Sequence, residues 1–153
     1  MDMQFRLGEQ SDIAQLNALA LRAKAYWGYP AAQLDVRREQ LAISPVWVSM
    51  QLVHVACADG RIVAMFVILQ DAENWRLEHM WVEPAVIRKG VGRALLTQAL
   101  HIARGLGANE LMVDSDPHAA GFYSACGGEL VGALAAPIQN EPKRTLPVFR
   151  LRC

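Results

Sequence analysis

The sequence predicts a mixed α/β fold, of the α/β or α+β class, built on a mixed sheet. Three observations predict it. The middle of the chain, Val46 to Val82, is rich in Val and Leu and broken by turn signals, which reads as an antiparallel meander. A strand then enters a strongly periodic helix through a glycine-containing turn. A strand–helix–strand succession closes the chain, so strands come first in a block and then alternate with helices.

Each element follows from local chemistry. Phe5–Leu7 can form a short strand. Ser11 is expected to cap a helix with Ile13, Leu16, Ala20 and Ala23 on one face, ending near Tyr26 before Gly28 and Pro30. Pro30 suits the first turn of a second helix, with Leu34, Arg38 and Leu41 on one side and Ser44-Pro45 closing it. Ala58-Asp59-Gly60-Arg61 reads as a hairpin turn, because Gly60 can take positive φ. Ile62–Leu69 returns as a strand, Asp71–Asn74 turns again, and Trp75–Val82 is a third strand that Pro84 ends. Val91, Leu95, Ala99, Ile102 and Leu106 then recur at steps of three and four, with Gly105 and Gly107 as the stop. Leu111–Asp114 reads as a strand, Pro117–Ala125 as a short helix stopped by Gly127-Gly128, and Leu130–Ala133 and Leu146–Leu151 as late strands.

Composition narrows the function. A chain of 153 residues is the size of one domain, expected to span 1–153. At this length roughly 68–70% of the unfolded surface is buried, so folding needs neither disulfide nor metal. Lys plus Arg and Asp plus Glu number 15 each, without a basic run, which argues against nucleic acid or an acidic membrane surface as partner. The three cysteines, Cys57, Cys126 and Cys153, are far apart and lack Cys-x-x-Cys spacing, so reduced thiols are expected. The N-terminus has no signal pattern, and the longest apolar run, Ile62 to Leu69, falls well short of the about 20 residues of a membrane span. A cytoplasmic protein is the expectation. No His, Cys or carboxylate set has metal-ligand spacing, so no metal is expected.

The Gly-rich turn carries the chemistry. Between Val82 and Leu95 a strand meets a helix through Gly90-Val91-Gly92, flanked by Arg88, Lys89 and Arg93. Unpaired N–H groups at a helix start attract anions, glycines let a phosphate approach the main chain, and the cations add to both effects. A dinucleotide fingerprint needs a third small residue where Leu95 stands, and a phosphate-binding P-loop needs Ser or Thr after Gly-Lys; neither pattern is met.

Val82-Glu83-Pro84, the basic loop, Gly90-Val91-Gly92 and Ala94-Leu95-Leu96 resemble, in order, the main motif of the GNAT family of N-acetyltransferases. Ile87 stands where that family commonly has Arg or Gln. Asp116-Pro117-His118-Ala119-Ala120-Gly121-Phe122-Tyr123, followed by Gly127, resembles its second signature, with His118 in the place of Asn and Gly128 where Phe is frequent. The resemblance implies a central mixed, mostly antiparallel sheet flanked by helices. It implies acetyl-CoA as cosubstrate, held by Met80, Trp81, Val82, Arg88, Lys89, Gly90, Val91, Gly92, Arg93 and Tyr123.

It also implies that Tyr123 protonates the leaving thiolate. Thiol and phenol pKa values of about 8.5 and about 10 put that transfer near balance. Phe122 reads as a core aromatic. The amine must lose a proton, and Glu78, on the strand entering the motif, is the first candidate base, with His79 second. Strand alternation puts Glu78, Met80 and Val82 on one face and His79 and Trp81 on the other. His54 and His101 read as structural or solvated. Tyr26, Trp27 and Tyr29, in the break between two helices, are candidates for the acceptor site, since aromatic faces suit apolar and cationic groups alike. The expected function is acetyl transfer to a small-molecule or protein amine, with a homodimer as one assembly option. The alternatives are a non-catalytic acyl-CoA-binding module and a nucleotide-binding module.

Overall fold

The computed structural model describes residues 2–153. The elements run β1 (Gln4–Leu7), α1 (Ile13–Tyr26), α2 (Ala31–Leu41), α3 (Pro45–Ser49), β2 (Val53–Ala58), β3 (Arg61–Asp71), β4 (Asn74–Val82), α4 (Val91–Gly105), β5 (Glu110–Asp114), α5 (Ala120–Ala125), β6 (Glu129–Ala135) and β7 (Thr145–Arg152). Seven strands form one sheet in the order β1-β2-β3-β4-β5-β7-β6, flanked by helices. Pairing is antiparallel at β1–β2, β2–β3, β5–β7 and β6–β7 and parallel between β4 and β5. The expected mixed, mostly antiparallel sheet is the observed one. Two compact units are distinguished, one running up to Val67 and including His79–Leu96, the other comprising Ile68–Glu78 and Thr97–Cys153.

In the first unit, Asp59 and Gly60 both take positive φ (52° and 73°), which fits the twist of the β2–β3 hairpin. β3 is buried continuously from Ile62 through its end in this unit, the mark of a strand covered on both faces. Leu16, Leu19, Ala20 and Ala23 bury one side of α1, as the periodicity predicts. Ser11 does not cap this helix. Asp12 takes the cap position without capping through its side chain: its carboxylate points back, accepting from the Glu9 N–H at 2.8 Å to close the 3-10 turn Gln10–Asp12, and from the Arg6 guanidinium at 2.8 Å. The Arg6 hydrogen bond holds that carboxyl below the usual range.

Two further expectations are corrected here. Pro30 is the cap of α2 rather than part of its first turn. Ser44-Pro45 opens α3 instead of only closing α2: the Ser44 hydroxyl accepts from the Val46 N–H at 3.2 Å, with Pro45 at the first helical position.

In the second unit, α4 continues from Thr97 with Ala99 and Ala103 buried, while Leu106 lies beyond the helix and is exposed. The inward row thus steps by four, 91-95-99-103, and Leu106 is not on it. The Gly107 N–H to Arg104 and Ala108 N–H to Ala103 bonds close the helix. α5 ends the same way, with Gly127 at φ 88° and the Gly128 N–H bonded to the Tyr123 carbonyl at 2.9 Å. At the outer end of the sheet all of β6 is exposed, and its ladder with β7 shifts register between Leu130 and Gly132.

Gly128 has no room for a side chain. A Cβ there would lie 2.8 Å from the Tyr123 carbonyl oxygen, 3.2 Å from Phe149 and 3.3 Å from Leu151. Gly128→Ala is expected to cost about 1–3 kcal/mol, the range for overpacking. Gly132→Ala, where a Cβ meets nothing within 4 Å, is expected to be near neutral. Urea denaturation of both variants checks this; equal stability would show that the end of α5 yields freely.

Candidate active site

The turn between β4 and α4 is built from its first residue. The Glu83 N–H donates to the Val63 carbonyl at 2.8 Å, and its carboxylate takes two bonds from Arg22 of α1, at 3.1 and 2.6 Å. A short 3-10 turn, Pro84–Val86, follows. Arg88 then takes φ 68° and Gly90 φ 80°, and buried Val91 starts α4. A Cβ at Gly90 would meet nothing within 4 Å, so glycine is required there by backbone conformation rather than by crowding. Arg88 adopts the same left-handed region without being glycine, a strained placement that keeps a guanidinium on the turn. Arg88, Lys89, Gly90 and Arg93 are exposed. The first N–H groups of α4 have no partner within the helix, and the helix dipole adds positive potential there. The arrangement suits an oxyanion such as a diphosphate.

β4 presents the expected alternation. His79 is buried, and its Nδ1 accepts from the Trp81 indole N–H at 3.1 Å, with the Trp47 ring 5.7 Å away. Burial pulls the His79 pKa down to about 4. An indole N–H only donates, so neutral His79 carries its proton on Nε2. Its one lone pair is thereby engaged, which speaks against His79 as a base. Met80 and Val82 are half-buried.

Glu78 belongs to the other unit and is exposed, its carboxylate 3.9 Å from Arg76. Arg76 also bonds Asp114 of β5, beside the parallel pair Arg76–Met112. Neither Arg22 behind Glu83 nor Asp114 beside Arg76 is signalled in the sequence, because each pair is made across the fold: 61 and 38 residues separate the partners.

In the second motif the aromatic roles are reversed from the packing expectation. Phe122 is half-buried, whereas Tyr123 is 5% exposed and packs against Phe122 and Phe149, at ring distances of 5.2 and 6.0 Å. Burial pushes the Tyr123 phenol up, so it is neutral across the physiological range. The same burial moves it away from the near balance of a free phenol and thiol. In the α1–α2 break, Tyr26 and Trp27 meet edge-on at 5.2 Å, and Tyr26 is 49% exposed. The face of Tyr29 carries the Lys24 ammonium at 4.5 Å, so the chain's own cation sits on that ring.

His79 makes stability depend on pH. Its folded pKa lies below its ordinary value of 6.5, so the unfolded chain binds more protons between about 6.5 and about 4. Stability is expected to fall as pH drops through that window, by on the order of 3 kcal/mol from this group. Denaturation of the parent and of His79→Gln at a series of pH values isolates the contribution. Parallel curves would mean that His79 titrates normally.

Residues 18–128 match the family described as the Acetyltransferase (GNAT) family. No curated protein matches the sequence. Among solved structures, the chain is similar to the PaiA N-acetyltransferase from Thermoplasma acidophilum in complex with coenzyme A, at TM-score 0.78 and 14% identity over 100% of both chains. It is similar to the ribosomal-protein-S18-alanine N-acetyltransferase from Escherichia coli, at TM-score 0.73 and 17% identity over 99% of this chain and 94% of that one. It is also similar to yncA from Salmonella typhimurium with its cofactor acetyl-CoA, at TM-score 0.72 and 18% identity over 99% and 94%. With the matched segment taking in the strand, turn and helix described above and the whole of the second motif, the chain belongs to the acetyltransferase (GNAT) family.

Proposed function

We propose that this enzyme moves the acetyl group of acetyl-CoA to a primary amine by direct attack in a ternary complex, acting as one domain over 1–153. The observation that carries the reading is the turn at Arg88–Arg93, where two positive-φ residues and a helix start offer N–H groups and cations to a diphosphate. Met80, Trp81 and Val82 lead the cosubstrate along β4 towards that turn. The acceptor is a compact amine, free or on a protein, received near Tyr26, Trp27 and Tyr29. The half-buried thiols of Cys57, Cys126 and Cys153 fit a cytoplasmic enzyme.

The residues divide the proton work. Glu78, with Arg76 at its side, takes a proton from the amine, directly or through water. Tyr123 donates to the departing sulfur. Its buried phenol always carries its hydrogen, and a thiolate leaving into similarly apolar surroundings is itself a stronger base than in water.

Acetyl-CoA is expected to raise the melting temperature, because it binds the native state only. Gly90→Val should remove most of that shift; an unchanged shift in this variant would move the diphosphate elsewhere. Thiol release over a panel of amines tests transfer itself. A non-catalytic module would give the thermal shift without thiol release, and a nucleotide binder would respond to ATP or NAD instead.

Tyr123→Phe should keep the shift and lose about 10²–10⁴-fold in rate. Glu78→Gln should lose most at low pH, where little free amine exists, and recover as pH approaches the amine's own pKa. A parallel pH–rate profile with only KM raised would make Glu78 an anchor for the acceptor's charge rather than its base.

A further inference from the structure

The helix that carries Tyr123 is only six residues long, Ala120–Ala125. A helix of that length does not hold itself, so the direction of Tyr123 is set by what fixes its two ends. The C-terminal end is fixed by packing. The Gly128 N–H bonds the Tyr123 carbonyl at 2.9 Å, and a Cβ on Gly128 would crowd Phe149 and Leu151 of β7. The N-terminal end is fixed by polar groups. α5 follows directly on the 3-10 turn Pro117–Ala119, which Asp116 caps. Asp116 Oδ1 accepts from the His118 N–H at 2.9 Å, and the Asp116 carbonyl accepts from the Ala119 N–H at 2.9 Å. The Ser115 hydroxyl donates to the same carbonyl at 2.7 Å, and the Ser115 N–H donates to Pro147 of β7 at 2.8 Å.

The other oxygen of this carboxylate, Oδ2, lies 3.7 Å from Nη2 of Arg144, with both side chains buried. Arg144 sits in the connection between β6 and β7, and main chain and side chain both tie it to Ala136, just past the end of β6. Its carbonyl accepts from the Ala136 N–H at 3.0 Å, and its Nη1 donates to the Ala136 carbonyl at 3.1 Å. Its own N–H donates to the Glu141 carbonyl at 3.1 Å. The guanidinium is thus part of the β6–β7 hairpin, and Asp116 joins that hairpin to the start of α5. Capping a helical turn needs the aspartate but no buried arginine. Desolvating a guanidinium is costly, and one carboxylate at this distance offsets it only in part, so the pair is better explained by orientation than by stability.

We propose that Arg144, acting through Asp116, is the positioning residue for Tyr123: it fixes the direction of α5, and with it the line along which the phenol hydroxyl meets the departing sulfur. The inference rests on acetyl transfer with Tyr123 as proton donor. In that step the amine nitrogen bonds the acyl carbon and the C–S bond breaks. Sulfur takes the phenol hydrogen, and solvent restores it with the proton that the amine gives up. A displacement of about 1 Å in a positioned group costs as much as about 10²-fold in rate.

Asp116→Asn combined with Arg144→Met removes both charges, so neither is left buried alone. It keeps an acceptor oxygen for the His118 N–H and an apolar stem in the place of the arginine's. With a competent amine this double variant is expected to lower kcat by about 10-fold to 10²-fold and leave the KM for acetyl-CoA and for the amine unchanged. In a Tyr123→Phe background the same two substitutions should lower kcat no further, because no hydroxyl is left to misplace. Arg144→Lys keeps the buried charge but lacks the fork that serves Ala136 and Asp116 together. It should show a smaller loss with the same dependence on Tyr123, and it carries the test alone if the double variant does not fold. Unchanged kcat in a variant that folds would overturn the proposal. An equal loss with and without the Tyr123 hydroxyl would overturn it too, as would a rise in KM alone. If the parent transfers acetyl but Tyr123→Phe loses no rate, this role falls while acetyl transfer stands. A parent that releases no thiol with any amine would overturn both.

Discussion

The turn between β4 and α4 hangs on Glu83. Its N–H is bound to β3 and its carboxylate is gripped by two nitrogens of Arg22 on α1, so the chain leaves β4 in one direction only. Everything after it inherits that direction: the 3-10 turn, the left-handed Arg88 and Gly90, and the buried Val91 that starts α4. Two-point contact between a guanidinium and a carboxylate fixes orientation as well as distance. On a partly exposed surface its worth to stability is small, so its main consequence is geometric. A turn that offers backbone N–H groups to a ligand works only if those groups already point together.

Much of this was legible in the sequence. Hairpin chemistry at Asp59-Gly60, the four-residue row of α4 and the glycine stops are local rules, and the strands came out within a residue or two, except that β2 begins at Val53 and the stretch from Val46 before it is largely α3. The turn itself was legible for the same reason, since Arg88, Lys89, Gly90 and Arg93 are neighbours in the chain. α3 was signalled by Ser44-Pro45 and lost because the Val-rich stretch after it matches a strand equally well. The relation of Phe122 to Tyr123 was not legible, because which of two adjacent aromatics is buried depends on Phe149 in a distant strand. The same holds for Arg22 with Glu83 and Arg144 with Asp116: charge partners far apart in sequence leave no periodicity to read.

Burial sorts the polar groups of β4 and of the second motif into different kinds. His79 and Tyr123 are both inside, and both are held neutral, one with its proton on Nε2 and one with its hydroxyl intact. Glu78 and His118 are exposed, and each sits beside a group of opposite character, Arg76 or Asp116. Interior groups of this kind offer hydrogen bonds of fixed direction, whereas the exposed pairs face water. A chain with no net charge can thus hold donors and acceptors of both kinds.

The register shift in β6 bears on how the molecule behaves in a crowded solution. β6 is an edge strand, wholly exposed, and carries Leu130, Val131 and Leu134 on its surface. A flat apolar strand in that position would be a template on which further chains could stack edge to edge. The extra residue between Leu130 and Gly132 breaks the even spacing of its outward N–H and C=O groups, so an incoming straight strand can match only one half of it at a time.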